Sequence, residues 1–144
     1  MYKYELTLMK VAMIQAELSY CIRAKVGAVI ARDDRIISTG YNGNPTKGSN
    51  DCEETIKGLS VTKSSVIHAE ANAILFCARS GISTNECTLY ITLSPCMECS
   101  KMILQSGIKR VVFLDSYKGD VSTSFLEKNG IIIEKLKERN DIPR

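Results

Sequence analysis

The length, composition and charge of the chain indicate one soluble globular domain. Its 144 residues are enough to bury a substantial core, and 44% of them are hydrophobic against 24% charged. The net charge is only +3, and the sequence has no concentrated run of basic residues of the kind that forms a nucleic-acid-binding surface. No apolar run approaches the ~18 residues of a membrane span, and Glu5, Lys10 and Glu17 interrupt any signal-peptide core. The expected location is the cytoplasm, or the host cytoplasm for a viral protein.

The first half of the chain predicts a helix and then a β-hairpin. Apolar residues recur at helical spacing through the first 20 positions: Leu6, Met9, Met13, Ala16 and Tyr20. Short apolar runs at 26–31 and 35–41 flank the charged Arg32–Asp34 and predict two antiparallel strands. Residues 42–65 are polar and rich in turn formers, and a connection of this length is typical of a functional or disordered loop.

The second half alternates helices with strands. Helices are predicted from His68 to about Ser80, over Pro95–Ser106 and near 121–129, with strands at 88–93, 111–114 and 131–134. Such alternation implies parallel strand pairing through right-handed crossovers. The prediction is a single α/β domain spanning 1–144, with element order αββαβαβαβ and a mixed five-stranded sheet between helices. The charged tail from Lys135 is expected to fray.

The six cysteines, at positions 21, 52, 77, 87, 96 and 99, have no secretory signal before them. In a reducing compartment, metal binding or catalysis is favoured over a disulfide framework. Cys96 and Cys99 stand after Ser94 and Pro95, a residue pair that suits the start of a helix. Three residues apart, about 300° around a helix, the two thiols share one face in its first turn, where the dipole favours thiolates.

His68, the one histidine of the chain, is the natural third ligand. Two thiolates and an imidazole leave one position of a tetrahedral zinc open, which is the pattern of a catalytic site. Glu70 lies two residues on, and within a regular helix it would point about 200° away from His68. The two side chains can converge only if His68 lies at or before the helix start, in a non-helical conformation. On its own, Cys-Met-Glu-Cys equally suits a thioredoxin-like redox pair, but that reading leaves His68 and Glu70 without a role.

Together, His-x-Glu and Pro-Cys-x-x-Cys form the signature of zinc deaminases. The chain resembles the zinc-dependent cytidine/deoxycytidylate deaminase superfamily, and most closely its deoxycytidylate (dCMP) deaminases. The resemblance is carried by "KVGAVIA", "GYNGNP", "HAEANAI", "TLYITLSPCMECSKMILQSGIKRVVF" and "DSY", which span roughly residues 20–120. It implies a cytidine deaminase-like three-layer αβα sandwich.

The resemblance further implies hydrolysis of dCMP to dUMP with release of ammonia, which supplies dUMP for thymidylate synthesis. His68, Cys96 and Cys99 would bind the zinc ion, and Glu70 would shuttle protons. Members of the family are commonly homohexamers that dCTP activates and dTTP inhibits, with Mg²⁺. The 42–65 loop is where such an effector is expected.

Five residues are candidates for substrate binding. Asn42 suits a deoxyribose hydroxyl, and a turn residue of an Asn-Gly pair is its alternative. Arg23 and Lys25, together with Lys47 in the loop, are candidates for the phosphate, although for each one alone a solvated surface charge is the commoner role. Tyr117 could pack on the pyrimidine or cover the surface.

Some relatives bind a second, structural zinc through cysteines and further histidines, and Cys21 and Cys52 would be remnants of such a site. Because His68 is already used, no histidine remains to complete it, so one zinc ion is expected. Cys77 and Cys87 are expected to be packing residues. Two other functions stay open: deamination of another nucleoside, nucleotide or nucleic-acid base, and a non-catalytic zinc-stabilised regulatory module. Nine aromatic residues, none of them Trp, disfavour a nucleic-acid substrate.

Overall fold

The computed structural model describes residues 2–136. Within that range no helix is both long enough and apolar enough to cross a membrane. The elements are α1 (Tyr2–Ala16), β1 (Gly27–Arg32), β2 (Arg35–Tyr41), β3 (Glu53–Ile56), β4 (Leu59–Thr62), α2 (Ala69–Ser80), β5 (Thr88–Leu93), α3 (Met97–Gln105), β6 (Arg110–Asp115), α4 (Val121–Lys128) and β7 (Ile132–Lys135).

The five-stranded mixed sheet that the sequence predicts is present, in the order β2-β1-β5-β6-β7. β1 runs antiparallel to β2 and to β5, whereas β5, β6 and β7 are parallel. The β1–β2 turn contains Asp33 and Asp34 at φ 50° and 61°, left-handed values that suit a tight hairpin turn.

Helices cover both faces of this sheet, which confirms the three-layer αβα architecture. Successive residues of a strand point to opposite faces, and the central strands are apolar on both. Val29 and Tyr90 pack with α1 on one face. Ile30 and Ile91 lie on the other, in the core cluster to which α2, α3 and α4 contribute.

The predicted loop at 42–65 is only partly a loop, because β3 and β4 form a separate antiparallel hairpin within it. The expected element order therefore lacked two strands. Lys57 and Gly58 form the turn at φ 51° and 77°. Most of the hairpin is exposed, so it has no buried apolar face that would signal strands in the sequence.

Three predicted boundaries were wrong. Tyr20 lies beyond the end of α1 and is 67% exposed. α3 begins at Met97, not at Pro95. The tail does not fray at Lys135, because that residue ends β7 and the following Leu136 is buried against the α1 face. The remainder of the predicted tail lies outside the described residues.

Gly40 allows β2 to pass very close to the start of α2. A β-carbon at Gly40 would lie 2.3 Å from the carbonyl oxygen of Ala69 and 2.8 Å from the amide nitrogen of Ala73. Both atoms belong to helix backbone, which cannot rotate away as a side chain would. A residue without a side chain is therefore required where the first turn of α2 rests on the sheet.

Candidate functional site

Most of the predicted site residues gather where the parallel strands of the sheet have their carboxyl ends. β5 and β6 are parallel, so their carboxyl ends lie together, with Leu93 paired to Asp115. Because β1 is antiparallel to β5, the segment that leads into β1 reaches the same end of the sheet, and the amide of Gly27 donates to Thr92 Oγ1 at 3.2 Å. α3 begins just beyond β5, and the start of α2 meets it there.

His68 is the N-cap residue of α2 and has the extended conformation that convergence with Glu70 requires, with φ −69° and ψ 156°. Its Nδ1 lies 3.6 Å from Cys96 Sγ and 3.3 Å from Cys99 Sγ. The three side chains therefore meet, although they come from the beginnings of two different helices. His68 keeps half of its side-chain surface exposed.

Cys96, and not Ser94, is the N-cap residue of α3, and its Sγ accepts a hydrogen bond from the amide of Cys99 at 3.5 Å. Ser94 is used differently. Its amide donates to the carbonyl of Asp115 at 2.8 Å, and its hydroxyl accepts from the amide of Tyr117 at 2.6 Å. Ser94 thus connects the end of β5 to the loop after β6, and the helix starts two residues later than predicted.

The thiols and the imidazole perturb one another strongly. Hydrogen bonds from Cys99 and His68 lower the pKa of Cys96 to about 3. Interaction with Cys96 and burial raise the pKa of Cys99. The hydrogen bond to Cys96 likewise raises the pKa of His68 above its ordinary value. Without a cation, the negative charge of one thiolate disfavours ionisation of the second thiol. A bound positive ion would allow both thiols to ionise, so the three side chains are suited to bind a metal cation.

The spacing of this trio fits zinc. Zn–S bonds of about 2.3 Å and Zn–N bonds of about 2.0 Å at the tetrahedral angle place sulfur and nitrogen about 3.5 Å apart. The distances of 3.6 and 3.3 Å from Nδ1 to the two sulfurs bracket that value. Three ligand atoms form this mutually close group, which leaves a fourth position for water or substrate.

Glu70 lies behind the trio and is almost fully buried, with 4% of its side chain exposed. Its Oε1 is 3.8 Å from His68 Nδ1. Burial raises the pKa of Glu70 to about 7, whereas a bound divalent cation would act in the opposite direction. A carboxyl group so placed can both accept and donate a proton near neutral pH.

A cavity of about 420 Å³ opens above these side chains. Of the predicted substrate residues, Arg23, Asn42 and Tyr117 line it. Lys25 is exposed and is not part of the lining. Arg23 Nη1 donates to Thr62 Oγ1 of β4 at 3.5 Å, so the guanidinium lies along the β3–β4 hairpin.

The side chain of Asn42 is buried and forms hydrogen bonds with the backbone of the segment before β1. Its Oδ1 accepts from the amide of Val26 and its Nδ2 donates to the carbonyl of Ala24, both at 2.8 Å. One lone pair and one N–H of the amide remain for another group. Asn42 thus fixes the segment that leads into β1.

Two charged residues of the cavity wall, Lys118 and Glu53, were missed in the sequence. Lys118 lines the cavity, with its Nζ 5.4 Å from the centre of the Tyr117 ring. Its place just after a parallel strand, where α/β proteins bind ligands, is a signal that could have identified it. Glu53 lines the same cavity from β3. Because β3 was not predicted, the sequence offered no signal for Glu53.

Cys21 and Cys52 form a disulfide between the segment before β1 and the segment before β3. The expectation of six reduced cysteines is therefore wrong for this pair. In the disulfide neither sulfur is a thiolate, so a second zinc at this pair would require the bond to be broken. Cys77 and Cys87 are free and buried, as predicted for packing residues.

A second cavity, of about 620 Å³, lies beside residues 39–50. Lys47 and Arg79 are among its lining residues, and so is Asn42, which also lines the smaller cavity. The "GYNGNP" stretch, residues 40–45, is part of this wall. Asn42 is therefore a lining residue of both cavities.

Comparison with known protein families agrees with this fold and with the three potential metal ligands. The model of the cytidine and deoxycytidylate deaminase zinc-binding region matches residues 3–115, most of the chain. The chain belongs to this deaminase family.

Within the family, the relatives found are chiefly dCMP deaminases. The deoxycytidylate deaminase of Enterobacteria phage T4 is 37% identical over 149 aligned residues, which cover 77% of each chain. The ComE operon protein 2 of Bacillus subtilis is 38% identical, over 83% of this chain and 64% of the relative. The dCMP deaminase of cyanophage S-TIM5, whose crystal structure is a complex with dCMP and dUMP, superposes with a TM-score of 0.83. It is 36% identical and covers 90% of this chain and 94% of its own.

Proposed function

We propose that the chain is an enzyme that hydrolyses dCMP to dUMP and releases ammonia. The observation that carries the proposal is the convergence of His68, Cys96 and Cys99 on one point, with Glu70 buried beside them, at a cavity of nucleotide size. The similarity to phage dCMP deaminases, one of them complexed with dCMP and dUMP, supports dCMP as the substrate.

His68, Cys96 and Cys99 are the residues that would hold a zinc ion. When bound, zinc supplies the Lewis acidity that makes water nucleophilic near neutral pH. The amide of Cys99 directs its N–H at Cys96 Sγ, which stabilises negative charge on that sulfur.

Glu70 would move the protons of the reaction. Water adds its oxygen to C4 of cytosine, and Glu70 takes a proton from that water and passes it to ring N3. It then takes the proton of the hydroxyl now on C4 and delivers it to the amino group as the C4–N bond breaks and the C4 carbonyl forms, so one water enters and one ammonia leaves.

The cationic side chains of the cavity wall would recognise the phosphate. Arg23 offers a planar fork of donors to phosphate oxygens, and Lys118 adds a second positive charge. Tyr117 would pack on the pyrimidine, and the remaining amide capacity of Asn42 would bind the deoxyribose hydroxyl. Lys25 is part of the proposal only as a more distant charge, since it is outside the lining.

The proposal extends to regulation. The 620 Å³ cavity, with Lys47 and Arg79 in its wall, suits the triphosphate effectors dCTP and dTTP, with Mg²⁺ bound to their phosphates. A homohexamer in the cytoplasm that supplies dUMP for thymidylate synthesis is the corresponding physiological proposal. Sigmoidal dCMP kinetics that dCTP makes hyperbolic and dTTP suppresses, measured with and without Mg²⁺, would support it. Hyperbolic kinetics unaffected by either nucleotide would refute it.

One experiment tests the central proposal. Ammonia release is followed with dCMP, CMP, deoxycytidine and single-stranded DNA, for the wild type and for Glu70→Gln. We expect turnover of dCMP above all others, and in Glu70→Gln an intact zinc content with nearly all turnover lost, because an amide cannot shuttle a proton. A variant that keeps about a tenth or more of wild-type turnover would refute the role of Glu70, since general acid–base catalysis contributes at least about a hundredfold.

A further inference from the structure

Residues 21–26, the entry segment, carry Arg23 into the substrate cavity without belonging to a helix or strand. Backbone outside regular structure needs other hydrogen-bond partners to adopt one conformation. Asn42 supplies them at the end of the segment, through Ala24 and Val26. The direction of the Arg23 side chain therefore depends on the contacts that hold the first residues of the entry segment.

Glu53 holds that beginning. Both of its carboxylate oxygens lie 3.2 Å from the amide nitrogen of Ile22, and Oε2 also accepts from the amide of Arg23 at 3.3 Å. Bonds from backbone N–H groups to a carboxylate are charge-assisted, and they are about twice as strong as neutral ones. The amide of the residue that bears the guanidinium is thus bound directly.

The same hairpin also binds the other end of Arg23. Glu53 lies on β3 and contacts the backbone of Arg23, while Thr62 on the paired strand β4 accepts from its Nη1. Glu53 and Thr62 are directly opposite each other in the strand pairing. Two residues that face each other across one strand pair therefore contact both the backbone and the guanidinium of Arg23.

A carboxylate in the wall of a cavity for a phosphate monoester needs a reason, because like charges repel there. Anchoring the hairpin would not require it, since the Cys21–Cys52 disulfide already joins the same two segments. The contacts to the amides of Ile22 and Arg23 supply the reason, because they use the negative charge to orient a positive one.

We infer that Glu53 is a positioning residue that holds Arg23 toward the substrate phosphate and so sets the preference for a nucleoside monophosphate over the free nucleoside. This rests on the proposed function, since it assigns a phosphate to the Arg23 side of the cavity. Glu53 does not touch the reacting atoms. It acts through Arg23.

A double-mutant cycle tests the inference. Glu53→Ala and Arg23→Ala are each expected to raise KM for dCMP about tenfold, the factor typical of one hydrogen bond to a charged group. kcat is expected to stay within about twofold, and KM for deoxycytidine to stay unchanged. The variant with both substitutions should match Arg23→Ala alone, because Glu53 has nothing to position once the guanidinium is gone. Glu53→Gln, which keeps one acceptor oxygen, should recover part of the loss.

The neighbouring Glu54→Ala is the matched control, because it removes the same charge from an exposed side chain of the same strand that does not line the cavity. Its kinetics should equal those of the wild type. Multiplicative effects of Glu53→Ala and Arg23→Ala, or equal rises in KM for dCMP and deoxycytidine, would show a merely structural role and overturn the inference.

Binding of inorganic phosphate, followed through the amide chemical shifts of Ile22 and Arg23, separates this inference from the proposed function. Phosphate binding weakened equally by either substitution and no further by both supports the positioning role, even for a protein that does not deaminate dCMP. Unchanged phosphate affinity in Glu53→Ala overturns the positioning role, even for a protein that deaminates dCMP efficiently.

Discussion

Replacing Gly40 by Ala should damage the fold and the site together. The added β-carbon would meet the Ala69 carbonyl oxygen at 2.3 Å, where ordinary contacts begin near 3.4 Å, so the backbone must move by about 1 Å. Overpacking that rigid backbone must absorb costs about 3 kcal/mol, the upper end for added methyl groups in packed cores. Ala69 directly follows His68, so the same movement shifts the imidazole relative to Cys96 and Cys99 and should weaken zinc binding.

Urea denaturation followed by circular dichroism measures the stability loss, and metal analysis of the purified protein measures zinc. Gly43→Ala is the matched control, since a β-carbon there meets no atom within 4 Å, and no destabilisation is expected. A Gly40→Ala protein with an unfolding free energy within about 0.5 kcal/mol of the wild type, the range of ordinary surface changes, would refute the close-packing argument.

Three further outcomes are expected. Cys96→Ala should leave far less than one zinc per chain, whereas Cys77→Ala, which removes a buried free thiol of α2, should lower stability and retain the metal; metal analysis distinguishes them, and full zinc in Cys96→Ala would contradict the ligand set. Lys118→Ala should raise KM for dCMP about tenfold and leave KM for deoxycytidine unchanged, because only the nucleotide carries a phosphate; equal changes would argue against a phosphate contact. Burial raises the pKa of Tyr90, so the folded state keeps the phenolic proton at a pH where the unfolded chain loses it, and the unfolding free energy should fall as pH rises above about 10. Melting curves from pH 8 to 11 should show a smaller fall in melting temperature for Tyr90→Phe than for the wild type. Equal falls in the two proteins would exclude this cause.

The sheet was predictable because each of its central strands is marked by an apolar run. The β3–β4 hairpin was not, because its side chains are mostly exposed and it closes no core. The Lys57–Gly58 turn, with both residues at positive φ, was the one local trace of it. Because the hairpin was not predicted, its two residues that contact Arg23, Glu53 and Thr62, could not be predicted either.

The geometry at His68 followed from the sequence for a different reason. A helix cannot direct two side chains that are two positions apart at one point, so His68 had to precede the helix, and it does. The start of α3 was misplaced because Ser94 hydrogen-bonds to a distant loop residue, Tyr117, and not to its own helix. The Cys21–Cys52 disulfide spans 31 residues, and no local pattern reports such a contact.

The meeting of α2 and α3 at their beginnings has a mechanical consequence. α2 has no side-chain hydrogen bond at its cap, because its N-cap residue is turned toward the sulfurs of the other helix. The contacts of His68 with Cys96 and Cys99 therefore link the first turn of α2 to the first turn of α3, and we expect the two turns to open together. His68→Ala should accelerate amide hydrogen exchange in the first turn of α3, a helix that the substitution does not touch, while the far ends of both helices keep their protection.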